Sequence, residues 1–186
     1  MFQHLIVPVD GSPASLDAVR VASRMASAVD GHFDVVTVVH GSEDHHAAET
    51  ALSLGVDRCR PMPLEPLQRV VAGSSIASVV AGMVDTTPGA TVLMSSHGHG
   101  RSAAVLGSNT DEVLREIFGP VIVIGPHCDI EHAGSLSGTY VVPLDGSPTA
   151  DSVLPIVAAW AVEFGGTPWL VGVVDDSLLQ SGDVVE

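Results

Sequence analysis

Five short apolar runs punctuate the first part of the chain: His4-Leu-Ile-Val-Pro-Val9, Phe33-Asp-Val-Val-Thr-Val-Val39, Leu67-Gln-Arg-Val-Val-Ala72, Ala90-Thr-Val-Leu-Met94 and Val121-Ile-Val-Ile124. Runs this short, bounded by turn residues, read as buried strands. Helix signals fill the gaps. Ser12 as N-cap and Pro13 at the first helical position start a helix that runs to about Val29. Its inner face carries Val19, Ala22, Ala26 and Val29, and Gly31 suits the left-handed site after it. A helix over residues 73–85 takes Ser74 or Ser75 as its cap, and Gly82 weakens its interior by about 1 kcal/mol. Strand, helix, strand in this order makes βαβ units, hence a parallel sheet with right-handed crossovers.

The exception is residues 40–66. Ala47 to Leu54 reads as a short helix, and Pro61, Pro63 and Pro66 mark a loop. His45, His46 and Glu49 suggest a metal only weakly, because adjacent histidines on a helix point apart. A solvated segment is the expected reading.

Chemistry concentrates between Met94 and Ser108. Gly98, Gly100 and Gly107 let the backbone approach a ligand closely. Ser108 is a natural N-cap with Asp111 three residues on, a capping-box spacing. Val113, Leu114 and Ile117 give the following helix an apolar face, and Gly119-Pro120 stops it. A strand, a glycine loop and a helix N-terminus together hold phosphate, since free N–H groups and the positive dipole end converge. The same composition also occurs in ordinary turns of α/β proteins.

Composition narrows the chemistry. The formal net charge is −15, which opposes binding to nucleic acid or to an anionic membrane surface. The chain has no lysine, and its seven basic residues are all arginine. A Walker A loop and lysine Schiff-base chemistry are therefore excluded. Cys59 and Cys128 form no Cys-x-x-Cys pair and read as reduced structural cysteines. No apolar run is long enough to span a membrane and no signal segment is visible, so a cytoplasmic protein is expected.

Two segments resemble the universal stress protein family. Ser95-Ser-His-Gly98 and Gly107-Ser108 fall on the family's nucleotide-loop pattern, Gly-x-x-Gly, nine residues, Gly-Ser/Thr. Here Ser95 replaces the first glycine, and eight residues, His99 to Leu106, separate the two halves. Val7-Pro-Val-Asp-Gly-Ser12 looks like the family's opening strand and turn. The resemblance implies an α/β fold: an open parallel five-stranded sheet in a Rossmann-like α/β/α sandwich, order 3-2-1-4-5. It implies ATP, with Mg²⁺, as the ligand. Asp10 and a backbone group near Val39 would lie at the adenosine end, with Pro8, Val9 and Ser12 alongside. Gly98, Gly107 and Ser108 would hold phosphates and Arg101 would neutralise charge, with Ser95, His97, Gly100 and Asn109 along the loop. It also implies a homodimer through the last strand.

The chain then repeats itself. Val7-Pro-Val-Asp-Gly-Ser-Pro13 recurs as Val142-Pro-Leu-Asp-Gly-Ser-Pro148, an offset of 135, and Gly31 meets Gly166 without a gap. The expected organisation is a universal stress protein domain over 1–127, a linker over 128–138, and a partial second copy over 139–186. That copy would hold a strand over 139–144, a helix over 148–164 strained by Pro155, a strand over 169–174 and an acidic tail. Trp160, Phe164 and Trp169 would lie partly uncovered.

Three functions compete. The first is an ATP-binding regulatory or stress-response module whose partner is an adenine nucleotide. The second is a dimeric member that binds no nucleotide and acts through protein interaction, which the altered loop favours. The third is an enzyme built on His97 and His99. No Ser-His-Asp order, paired-carboxylate motif or metal signature supports it, so slow ATP hydrolysis is the most it would provide.

Overall fold

The computed structural model describes residues 3–41, 45–97, 106–133 and 137–172. They fall into two compact units, 1–135 and 136–186. In the first unit β1 (His4–Pro8), α1 (Pro13–Ala28), β2 (His32–Val39), α2 (His45–Asp57), β3 (Leu67–Ala72), α3 (Ile76–Thr86), β4 (Thr91–Ser95), α4 (Ser108–Glu116) and β5 (Val121–Ile124) follow in order. The strands form one parallel sheet, β3-β2-β1-β4-β5, the order the family resemblance implies.

Right-handed crossovers from this order put α1 and α2 on one face and α3 and α4 on the other. Ala77 and Val80 of α3 and Val113 of α4 pack on Ile6, Val36, Val92 and Met94 of the sheet, all buried. The central strands β1 and β4 are apolar on both faces, as a sheet covered twice requires. Pro8 ends β1, where its missing N–H breaks no ladder bond, and the next donor, Val9 N–H, reaches Val36 O at 2.9 Å.

One charge sits inside the sheet. Asp34 on β2 is 1% exposed. Its Oδ2 accepts from Arg69 Nε on β3 at 2.9 Å and lies 3.2 Å from His4 Nε2 on β1. Its Oδ1 has no hydrogen-bond partner among the described residues.

Several local expectations change. Asp30, not Gly31, takes the left-handed site after α1, with φ of 51°. Gly31 N–H closes the cap on Ala26 O at 2.8 Å, as in a Schellman motif. Gly31 is needed for another reason: a Cβ there would lie 2.6 Å from Gln3 O. The N-cap of α4 is Gly107 rather than Ser108, because Asp111 N–H already bonds Gly107 O at 2.9 Å. The helix α2 extends beyond Ala47–Leu54 and is anchored by buried Leu52, Gly55 and Val56. His45 and His46 both approach exposed Glu49, at 3.4 and 3.6 Å, and no metal-binding group occurs among the described residues.

Cys59 is buried and Cys128 exposed, and both are free, so only the first is a packing residue. Burial pushes the Cys59 thiol above its ordinary value, with nearby Arg20 opposing. Iodoacetamide is therefore expected to alkylate Cys128 in the native protein and to reach Cys59 only after denaturant is added. Equal native rates by mass spectrometry would contradict this packing.

In the second unit β6 (Thr139–Leu144), α5 (Pro148–Asp151), α6 (Leu154–Phe164) and β7 (Thr167–Gly172) make a two-stranded parallel sheet with its helices. The single helix expected over 148–164 is broken. Pro155 lacks an N–H and its ring clashes with the carbonyl four residues back, on Asp151, where α5 ends. Trp160 packs between Tyr140 and Phe164, with centroids 6.0 and 5.5 Å away.

Contacts in this unit repeat those of the first, 135 residues on. His4↔His32 becomes Thr139↔Thr167, and Pro8↔Val36 becomes Pro143↔Val171. The bond from Ser12 N–H to Asp10 Oδ1 becomes Ser147 N–H to Asp145 Oδ1, each 2.9 Å. Gly11 and Gly146 share φ of 79° and 78°, and Asp30 is replaced by Gly165. What differs is cover: Val141 and Val171, counterparts of Ile6 and Val36, are exposed, as is Trp169. The tail expected beyond Gly172 lies outside the described residues.

Candidate functional site

A cavity of about 760 Å³ opens at the carboxyl ends of β1, β2 and β4. This is the edge where an open α/β sheet with reversing strand order leaves a crevice. The strands supply Pro8, Val9 and Asp10, then Thr37, Val38 and His40, then Met94, Ser95 and His97. The helices supply their first turns: Ser74, Ser75 and Ile76 from the start of α3, Gly107 to Thr110 and Glu112 from α4.

Asp10 shapes the turn out of β1. Its Oδ1 accepts the Ser12 N–H at 2.9 Å, while Gly11 supplies the positive φ. Ser12 then caps α1, accepting Ser15 N–H at 3.2 Å on its hydroxyl.

The far wall is built by tying β4 to α4. Ser96 N–H bonds Ile124 O at 2.8 Å, Gly107 N–H bonds Ser96 O at 2.8 Å, and Thr110 Oγ1 donates to Ser95 O at 3.0 Å. A Cβ on Gly107 would lie 3.2 Å from Ser96 O, so a small residue suits this junction. The first-turn N–H groups of Ser108, Asn109 and Thr110 have no place in the ladder of α4 and carry its positive dipole end. Ser95 Oγ donates to His97 O at 2.8 Å, and Ser96 Oγ lies 2.5 Å from His97 Nδ1. At the rim His40 Nδ1 donates to Gly73 O at 3.1 Å, which fixes the ring.

Of the residues expected from sequence to contact a ligand, Pro8, Val9, Asp10, Ser95, His97, Gly107, Ser108 and Asn109 line this one cavity. Ser12 and Val39 do not. Ser12 is buried as the cap of α1, and Val39 O accepts Gly73 N–H at 3.0 Å within the sheet. Gly98, His99, Gly100 and Arg101 lie outside the described residues. Sequence reasoning missed Thr37, Val38 and His40, and the first turn of α3. Strand alternation at the end of β2 points to the first group. The Ser74-Ser75 pair, read only as a cap, was the signal for the second.

A family model described as the universal stress protein family matches residues 1–125. The chain belongs to the universal stress protein family. No curated protein matches it. Among solved structures, a universal stress protein in complex with cAMP is 23% identical, with a TM-score of 0.53, covering 66% of this chain and 96% of its own. Universal stress protein UspA from Lactobacillus plantarum is 18% identical, with a TM-score of 0.55, covering 66% and 97%. A universal stress protein from Archaeoglobus fulgidus DSM 4304 is 15% identical, with a TM-score of 0.68, covering 97% of this chain and 71% of its own. At these identities the likeness is one of fold. No described helix is long and apolar enough to cross a membrane.

Proposed function

We propose that the first unit is a nucleotide-binding regulatory module of the stress-response type whose ligand is ATP, taken with Mg²⁺. The observation that carries this reading is the joining, in one cavity, of a strand-end carboxylate and the amides of a helix start. Asp10 lies on the wall made by β1 and β2, which suits the adenosine end. Gly107, Ser108 and Asn109 lie on the other wall, where the free N–H groups of Ser108 and Asn109 suit phosphates. Gly98, Gly100 and Arg101 complete the proposed phosphate contacts. The cAMP complex of a structural neighbour supports adenine nucleotide as the ligand class.

The test is a thermal-shift titration of the full chain with ATP and Mg²⁺. Ligand at about 100 times its Kd should stabilise the protein by roughly 2.7 kcal/mol. Asp10→Ala should remove most of that protection while keeping the fold. Absence of protection by any adenine nucleotide would leave the protein-interaction reading.

That second reading has its own observation. β5 is an edge strand of the sheet, and Val123 on it and Phe118 just before it in the chain are exposed, Phe118 at 99%. An open apolar edge invites pairing with a second copy. We take a homodimer through β5 to accompany either reading, and sedimentation equilibrium tests it. The repeated contacts of β6 and β7 support reading the second unit as a partial copy of the same domain.

A further inference from the structure

The second unit leaves one face of its sheet open. Strand alternation puts Val141 of β6 on that face with Trp169 and Val171 of β7. The register sets Val141 opposite Trp169 and Pro143 opposite Val171, so the three apolar residues are neighbours on one surface. They are 66%, 63% and 39% exposed. The other face is the one α6 covers: Tyr140 meets Trp160 there, and Val142 is buried. Exposed apolar side chains that adjoin one another, unlike scattered ones, mark a surface for interaction.

The first unit shows what such a face accepts. At the register positions of Val141 and Val171 stand Ile6 and Val36, 135 residues earlier. Both lie in one buried cluster with Ala77 and Val80 of the helix α3. An amphipathic helix is therefore the cover that fits this strand pair, and no described element of the second unit takes that place.

Charge selects among the occupants. Residues 136–186 contain seven Asp and Glu and no Lys, Arg or His. The described carboxylates, Asp145 after β6, Asp151 on α5 and Glu163 on α6, thus have no basic side chain within their own unit. A second copy of this unit brings the same sign, and nucleic acid and an anionic membrane surface are repelled as well. A cationic polypeptide is attracted, and complementary charge speeds and orients its docking.

We propose that the open face of β6 and β7 is the docking site for a basic amphipathic helix of another protein. Its apolar stripe rests on Val141, Trp169 and Val171, with the indole as anchor, and its Lys and Arg side chains answer the carboxylates of this unit.

Fluorescence anisotropy of a labelled probe added to the full chain tests this. The probe is a helical peptide of about 18 residues with leucine and alanine on one face and lysine on the other. It should bind, and raising salt from about 0.05 to 0.5 M should weaken it several-fold. A peptide with glutamate in place of lysine should bind at least about tenfold more weakly, as should a lysine peptide with its leucines scattered around the helix. Trp169→Ser and Val141→Ser, at exposed positions, should each cost about tenfold or more, while Val162→Ser, exposed on α6, should leave binding unchanged. Circular dichroism checks each fold, and the peptide series on the parent chain decides if a variant unfolds. No binding of the lysine peptide, equal binding of either control peptide, or binding that survives both face variants overturns the proposal. Two other occupants have their own signatures. A second copy would give self-association by sedimentation equilibrium that Trp169→Ser abolishes. Cover by the chain itself would shield Trp169 from acrylamide in the free protein, read as the difference between the parent and Trp169→Phe. Either result also overturns it.

Discussion

Replacing Arg69 with leucine should cost about 3 kcal/mol of unfolding free energy and lower the melting temperature by roughly 10 °C. The reason is the position of its partner. Asp34 lies inside the sheet, 1% exposed, and Arg69 and His4 are the groups that meet its Oδ2. Removing the guanidinium leaves a carboxylate out of water with an imidazole as its remaining partner. Breaking a buried pair from one side costs about 3–5 kcal/mol, and the low end applies because the Arg69 side chain is 45% exposed. The decisive companion is Asp34→Val. Alone it leaves Arg69 free to reach water; combined with Arg69→Leu it should return stability to within about 1 kcal/mol of the parent, since an apolar replacement of both partners needs no compensation. Urea unfolding of the three variants measures this cycle. A double variant no more stable than Arg69→Leu would mean that the pair does more than neutralise itself.

The second large effect is expected at Gly31. Alanine there should cost about 2 kcal/mol, in the range of forced overpacking. The added Cβ would meet main chain rather than a movable side chain, Gln3 O at 2.6 Å and Gln3 Cα at 3.0 Å. The same carbonyl accepts His32 N–H at 2.8 Å, so any retreat of Gln3 also loosens the start of the β1–β2 ladder. Its neighbour should behave in the opposite way. Asp30 carries φ of 51°, and glycine adopts that conformation without strain. Relief of that strain and the greater freedom of the unfolded chain roughly cancel, so Asp30→Gly should stay within about 1 kcal/mol of the parent. Thermal denaturation of both variants decides. A larger loss at Asp30 than at Gly31 would reverse the roles assigned to these two residues.

That pair also shows where sequence reading works and where it stops. Strands of the first unit were legible because each is a short apolar run between turn residues, and the boundaries of β3 and β5 coincide with those runs; β6 was legible from the recurrence. The sheet order came from the family resemblance, since periodicity carries no information about which strands are neighbours. Cap positions were harder. Sequence marks Gly31 and Ser108 by residue type, but the chain uses Gly31 for closeness to Gln3 and begins α4 from Gly107. Both outcomes depend on what approaches from elsewhere. The helix α2 was only partly visible because its first turns are polar and its buried face rests on Leu52, Gly55 and Val56 alone. At the cavity, the residues next to a recognisable motif were readable. Thr37, His40 and the start of α3 were not, because they reach it through the third dimension.

The recurrence at an offset of 135 gives the molecule an internal comparator. Each strand position over His4–Pro8 and His32–Val36 has a twin in the same register, and several of the twins differ in cover. Ile6 is sealed and Val141 is open; Asp34 is neutralised and Trp169 faces water. Paired substitutions at such twins would separate what a backbone frame demands of a side chain from what its neighbours demand. Both readings would come from one polypeptide under one set of conditions.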